Sequence, residues 1–229
     1  MKQVQDLGYK SEARRGLLFV FMAGVLWSTV GLGIRMIDEA TVWQILLYRS
    51  ISLSLFLAIV IYLRSSENLF TVVRAAGLPA CIAGLALVGA YAGGIYGIQS
   101  TSVANAMLLF ASAPFMAAIL GWIFLREKVR KATWISILFA MLGIGIMVQD
   151  KSTGSALLGN LAALGSAFGF AVFTVALRWG RSVEMLPAVL LSGIFAIFIT
   201  SSICLLSGLP FQISVNDTGI SMGMGVFQV

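Results

Sequence analysis

Arg49 is the residue of this 229-residue chain with the clearest capacity for chemistry. It lies inside the apolar run 42–63, about two helical turns from its start and therefore roughly 10 Å deep at ~1.5 Å per residue. A cation at that depth costs several kcal/mol even on the gentler insertion scales, an order-of-magnitude figure. Two readings stand side by side. Arg49 faces an anionic group of a solute, such as a carboxylate, or it is structural and satisfies helix-end carbonyls or snorkels outward. Trp27, Ser28, Tyr48, Tyr91 and Asn105 are the other polar or amphipathic groups placed to line a pocket. Trp27 and Tyr91 fall in mid-run, away from the interface where such rings usually form a belt. Aromatic walls with a few polar groups suit a small amphipathic solute, and each residue taken singly also fits ordinary packing.

Other chemistries lack their residues. The chain has no histidine, which removes the usual proton switch and the commonest metal ligand. No phosphate-cradling glycine loop, zinc spacing or Ser/His/Asp set is present, so the reading is of a non-enzyme without metal or cofactor. No Asp or Glu falls inside the seven complete apolar runs, which argues against proton-driven cation efflux through a buried carboxylate. Cys81 and Cys204 sit in separate runs and read as free thiols.

The elements that position these groups are membrane spans. With 59% apolar and 10% charged residues and a mean hydropathy of +0.99, the chain lacks the polar shell of a soluble domain. About twenty apolar residues cross the hydrocarbon. On that ruler spans fall at about 17–37, 42–63, 77–98, 104–125, 132–149, 157–178 and 187–207, with an eighth starting near Thr218. Backbone groups in lipid must be satisfied within the segment, so the spans are helices. Twelve of the fifteen Lys and Arg residues fall on one side of the alternating topology, which makes the N-terminus cytoplasmic. This placement reflects topology control and gives no reason to expect a nucleic-acid partner. Gly89/Gly93, Gly93/Gly97 and Gly165/Gly169 are small-residue pairs for close helix approach. Pro114 is expected to kink the fourth helix near Phe110.

After a polar joint at Asp150–Ser155 the pattern restarts. A shift of 143 positions aligns Gly16 with Gly159, Trp27 with Phe170 and Arg35 with Arg178. Five spans per copy is odd, so the second copy enters the membrane inverted. The expected fold is an all-α, multi-pass bundle of inverted five-helix repeats. A basic tail occupies 1–15, a first repeat 16–149, and a second, incomplete repeat of about two and a half helices 157–229.

Several stretches resemble a known family. They are Gly24-Val-Leu-Trp27-Ser28, Tyr48-Arg49, Ala104-Asn105-Ala106 through Pro114 to Arg126-Glu127-Lys128, and Gly143-Ile-Gly145-Ile. Together they resemble an EamA-type member of the drug/metabolite transporter superfamily, well over 16–149 and loosely over 157–207. The resemblance implies ten helices in two inverted repeats, a central cavity, and export or exchange of amino acids or other small metabolites by alternating access. The implied setting is a bacterial inner membrane, with the lipid bilayer and an anionic or zwitterionic small molecule as partners. The alternative is a truncated membrane fragment that does not transport and needs a partner to complete it.

Overall fold

The computed structural model describes residues 16–64, 68–149 and 155–228. The basic tail at 1–15 and the joint at 150–154 lie outside the described residues. Eight helical spans follow one another, here α1 (Gly16–Arg35), α2 (Val42–Arg64), α3 (Leu69–Ser100), α4 (Val103–Leu125), α5 (Lys131–Gln149), α6 (Ser155–Trp179), α7 (Leu186–Leu206) and α8 (Val215–Phe227). No strand occurs among the described residues. Six of the helices, α1 to α4 with α6 and α7, are long and apolar enough to cross a membrane. The chain is an all-α multi-pass membrane protein.

Three helices carry breaks that the sequence explains. In α3 the backbone turns at Gly77, with φ 60° and ψ −154°. That left-handed φ is cheap only for glycine, and Pro79 begins the next turn without needing an N–H donor. The apolar span therefore starts at the glycine, after a separate short helix. In α4 the helix stops at Phe110 and resumes at Ala113. Pro114 has no N–H to offer the Phe110 carbonyl one turn back, and the Ser112 hydroxyl donates to Leu109 O at 2.6 Å inside the gap. In α1 the turn tightens at Thr29, where the hydroxyls of Ser28 and Thr29 donate to the carbonyls of Val25 and Leu26. Such back-bonding bends helices locally.

Packing centres on α2 and α3. Half of the most apolar window of α2 is buried inside the bundle, against 11% for α1, so α2 is a core helix and most of the α1 surface is left uncovered by the described helices. One flank of α2 meets α7 and the other meets α8, while α3 lies against α6 and α7. The α3–α6 contact is backbone to backbone. A Cβ on Gly93 would sit 2.6 Å from Ala162 O, and one on Gly169 would sit 2.8 Å from Ala86 O. The Ser166 hydroxyl donates to Ala90 O across this seam at 2.6 Å. Gly89 and Gly165 belong to the same sequence pattern but face open space. Without a hydrophobic force between helices in lipid, this close approach is what holds them.

The two glycines of one motif thus differ in a measurable way. Gly93→Ala must push the helices apart and should cost about 1–3 kcal/mol, the usual range for overpacking. Gly89→Ala should leave stability unchanged or slightly improved. The unfolding midpoints of the two variants in detergent should therefore separate by several degrees.

Candidate functional site

A small cavity lies where α1, α2, α3, α4, α6 and α8 converge, and Arg49 is its one charged lining residue. The Arg49 side chain is 5% exposed. Its guanidinium carbon stands 3.7 Å from the centroid of the Tyr91 ring, a cation–π contact between α2 and α3. Among the described residues it has no carboxylate partner, because Arg178–Glu127 is their one ion pair. A buried cation with only a ring face to stabilise it carries an unoffset desolvation cost.

Opposite Arg49 stand three aromatic rings. Trp27 meets Phe170 edge-on at 5.4 Å and 62° and meets Phe110 at 6.0 Å, while Phe110 and Phe170 are 5.5 Å apart. Trp27 Nε1–H donates to Gln228 O at 3.1 Å, and the Gln228 amide donates to the Thr29 hydroxyl at 3.3 Å. The Gln228 Oε1 is buried with no hydrogen-bond partner. Ser166, Ile34, Ile95 and Met224 complete the wall. The cavity volume is about 80 Å³. That holds a few waters and falls well short of the ~300 Å³ at which small-molecule pockets begin.

One end of the bundle is tied together by hydrogen bonds. Asp217, in the first turn of α8, is fully buried. Its carboxylate accepts the backbone N–H groups of Asp38, Glu39 and Ala40 at 3.1–3.3 Å, gripping the α1–α2 loop. Gln99 donates to Ala40 O, Gln44 to Pro210 O, and Arg35 to Thr101 O. These bonds join α8, α3 and the α7–α8 loop to one turn of chain.

Of the six residues read from sequence as pocket candidates, Trp27, Arg49 and Tyr91 line this cavity together. Ser28 is exposed and its hydroxyl is engaged by Val25 O. Tyr48 donates its hydroxyl to Phe211 O at 2.8 Å. Asn105 lies in the first turn of α4, its backbone N–H donating to Ser102 Oγ at 3.1 Å. These three fall outside the lining. Sequence reasoning did not single out Phe110, Phe170, Ser166 or Gln228 for the pocket. The signal for Phe170 was present, since the 143-residue shift aligns it with Trp27. Nor did it find the grip of Asp217, because a carboxylate at a helix end looks like an ordinary N-terminal charge.

With the geometry in hand, comparison with known proteins assigns the class. The profile of the EamA-like transporter family matches residues 14–149. The chain belongs to that family. It is similar to an uncharacterized transporter, YetK, of Bacillus subtilis, 36% identical over 87 residues covering 35% of this chain and 26% of that protein. It also resembles an uncharacterized transporter of Vibrio cholerae, 26% identical over 70% of this chain and 53% of that protein. Protein RarD of Escherichia coli is 27% identical over 71% of this chain and 54% of its own length. The chain thus spans from about a quarter to about half of the length of these curated relatives. No solved structure matches significantly.

The loop grip is directly testable. Asp217→Ala leaves the Ala40 N–H, and in part its two neighbours, without an acceptor, which should cost about 1–3 kcal/mol. Asp217→Asn keeps a carbonyl oxygen in place and should cost less. The order wild type, Asn, Ala in thermal unfolding midpoint is the expected result.

Proposed function

We propose that this chain forms part of an alternating-access transporter for small amphipathic organic anions or zwitterions, amino acids among them, with Arg49 as the anion-binding group. The observation that carries the reading is the buried Arg49 guanidinium, held over Tyr91 with no carboxylate among the described residues to neutralise it. A carboxylate against Arg49 and an apolar or aromatic body against Trp27, Phe110 and Phe170 would satisfy both halves of the cavity. The names of the relatives as transporters support the activity.

Two contacts support inverted repeats as the basis of the movement. Trp27 and Phe170 are equivalent under the 143-residue shift and meet each other. Ser50 and Gly193 are equivalent under the same shift, and a Cβ on Gly193 would lie 3.3 Å from Ser50 O. Equivalent positions that touch are expected on a pseudo-two-fold axis. The first repeat then runs over 16–149 and the second from 157. In this frame the bonded end around Asp217 is one gate, and the aromatic triangle separates the cavity from the other face. The charge bias supports an N-terminus on the cytoplasmic side of a bacterial inner membrane.

Flux in proteoliposomes tests the assignment. A charge-assisted hydrogen bond is worth about 1.5–3 kcal/mol, so Arg49→Gln should slow uptake of an aromatic monocarboxylate roughly tenfold or more, and Arg49→Lys should retain part of it. Unchanged flux in Arg49→Gln would remove Arg49 from the mechanism.

A further inference from the structure

A second groove opens at the opposite end of the bundle, where α4 stops and α5 starts. It is lined by Trp122 and Ile123 of α4, by Arg126, Glu127, Lys128 and Val129 of the connection, and by Trp134 of α5. The sequence 126–131 brings four cations together with one carboxylate, Glu127.

The structure commits that carboxylate, which also lines the groove, to a cation of another helix. Arg126 takes a left-handed conformation, φ 53°, which reverses the chain, and the Glu127 N–H donates back to Gly121 O. Glu127 Oε2 then reaches Arg178 Nη1 of α6 at 2.9 Å. Gly121 leaves the room for this, since a Cβ there would lie 3.0 Å from that oxygen. Arg126 and Lys128 both line the groove and have no ion pair among the described residues. The first turn of α5 adds the positive end of its helix dipole.

The walls matter as much as the charge. Trp122 and Trp134 meet edge to face at 5.4 Å and 88° and are 51% and 38% exposed. Tryptophans at span ends belong at headgroup level, where an apolar ring and a polar N–H are both accommodated. A groove lined by two cations without an ion pair and by two exposed indole rings at the end of an apolar span matches a ligand that is anionic at one end and apolar at the other.

We propose that this groove is a binding site for an anionic phospholipid. The phosphate sits between Arg126 and Lys128, and the glycerol and upper acyl chain lie along Trp122 and Trp134. Binding there clamps the α4–α5 junction. The site is separate from the Arg49 cavity and does not depend on what that cavity carries.

The test uses the purified full chain in detergent, titrated with phosphatidylglycerol, phosphatidylcholine or glycerol phosphate and read by native mass spectrometry. Phosphatidylglycerol should be retained at least about tenfold more tightly than phosphatidylcholine. The double variant Arg126→Asn, Lys128→Gln should lose most of that preference, asparagine being chosen because it tolerates the left-handed backbone. Arg64→Gln, at the same end of the bundle, should keep it. Lys128→Gln alone alters one exposed side chain and should reduce the preference about threefold, so the test survives if the double variant fails to fold. Equal retention of the two lipids, or full preference in the Lys128 variant, would overturn the proposal. So would displacement of phosphatidylglycerol by millimolar glycerol phosphate, since that would mark a site for small free anions.

Discussion

The close approach of α3 and α6 governs the placement of the cavity's parts. Gly93 and Gly169 let two backbones touch where any larger residue would hold them apart. With that contact made, Tyr91 on α3 lies beneath the Arg49 guanidinium and Phe170 on α6 reaches Trp27. The seam is the kind that lipid permits, because van der Waals fit and a few hydrogen bonds replace the hydrophobic force available in water. Ser166 supplies one such bond from within the cavity wall.

Around this seam the polar groups divide into spent and unspent. Asp217, Gln44, Gln99, Tyr48 and Arg35 are all committed to backbone partners near one end of the bundle. Their bonds close that end and leave them nothing to offer a solute. Arg49 has no such commitment, and Gln228 Oε1 has none either. A cation at membrane depth with no counter-ion among the described residues carries a standing cost on the order of several kcal/mol. The simplest return on that cost is an anion that arrives from outside.

Much of this was legible in the sequence. Span positions followed from hydropathy, and the Ala111–Ser112 gap fell where Pro114 was expected to break the fourth helix, whereas the turn at Gly77 was not anticipated. Arg49, Trp27 and Tyr91 stood out because charge or amphipathic character at depth is costly and therefore informative. The rest depended on three-dimensional pairing. Gly89 and Gly93 are indistinguishable as letters, and only helix rotation decides which one faces α6. Phe110 and Phe170 looked like ordinary lipid-facing or core residues until the α4 break and the α3–α6 seam turned them toward Trp27. Glu127 was readable as a member of an ion pair, but its partner Arg178 lies 51 positions away, and no local pattern announces it. Ser28, Tyr48 and Asn105 had the right polarity and depth, yet local hydrogen bonding and helix phase turned them elsewhere.

The central claim is that the Arg49 cavity recognises negative charge on an amphipathic solute. Isothermal titration calorimetry of the purified protein with an aromatic monocarboxylate and its uncharged primary amide isolates that charge, since the two share size and apolar surface. The account predicts that the carboxylate binds at least about tenfold more tightly, a difference of ~1.4 kcal/mol. Equal affinity for acid and amide would contradict it.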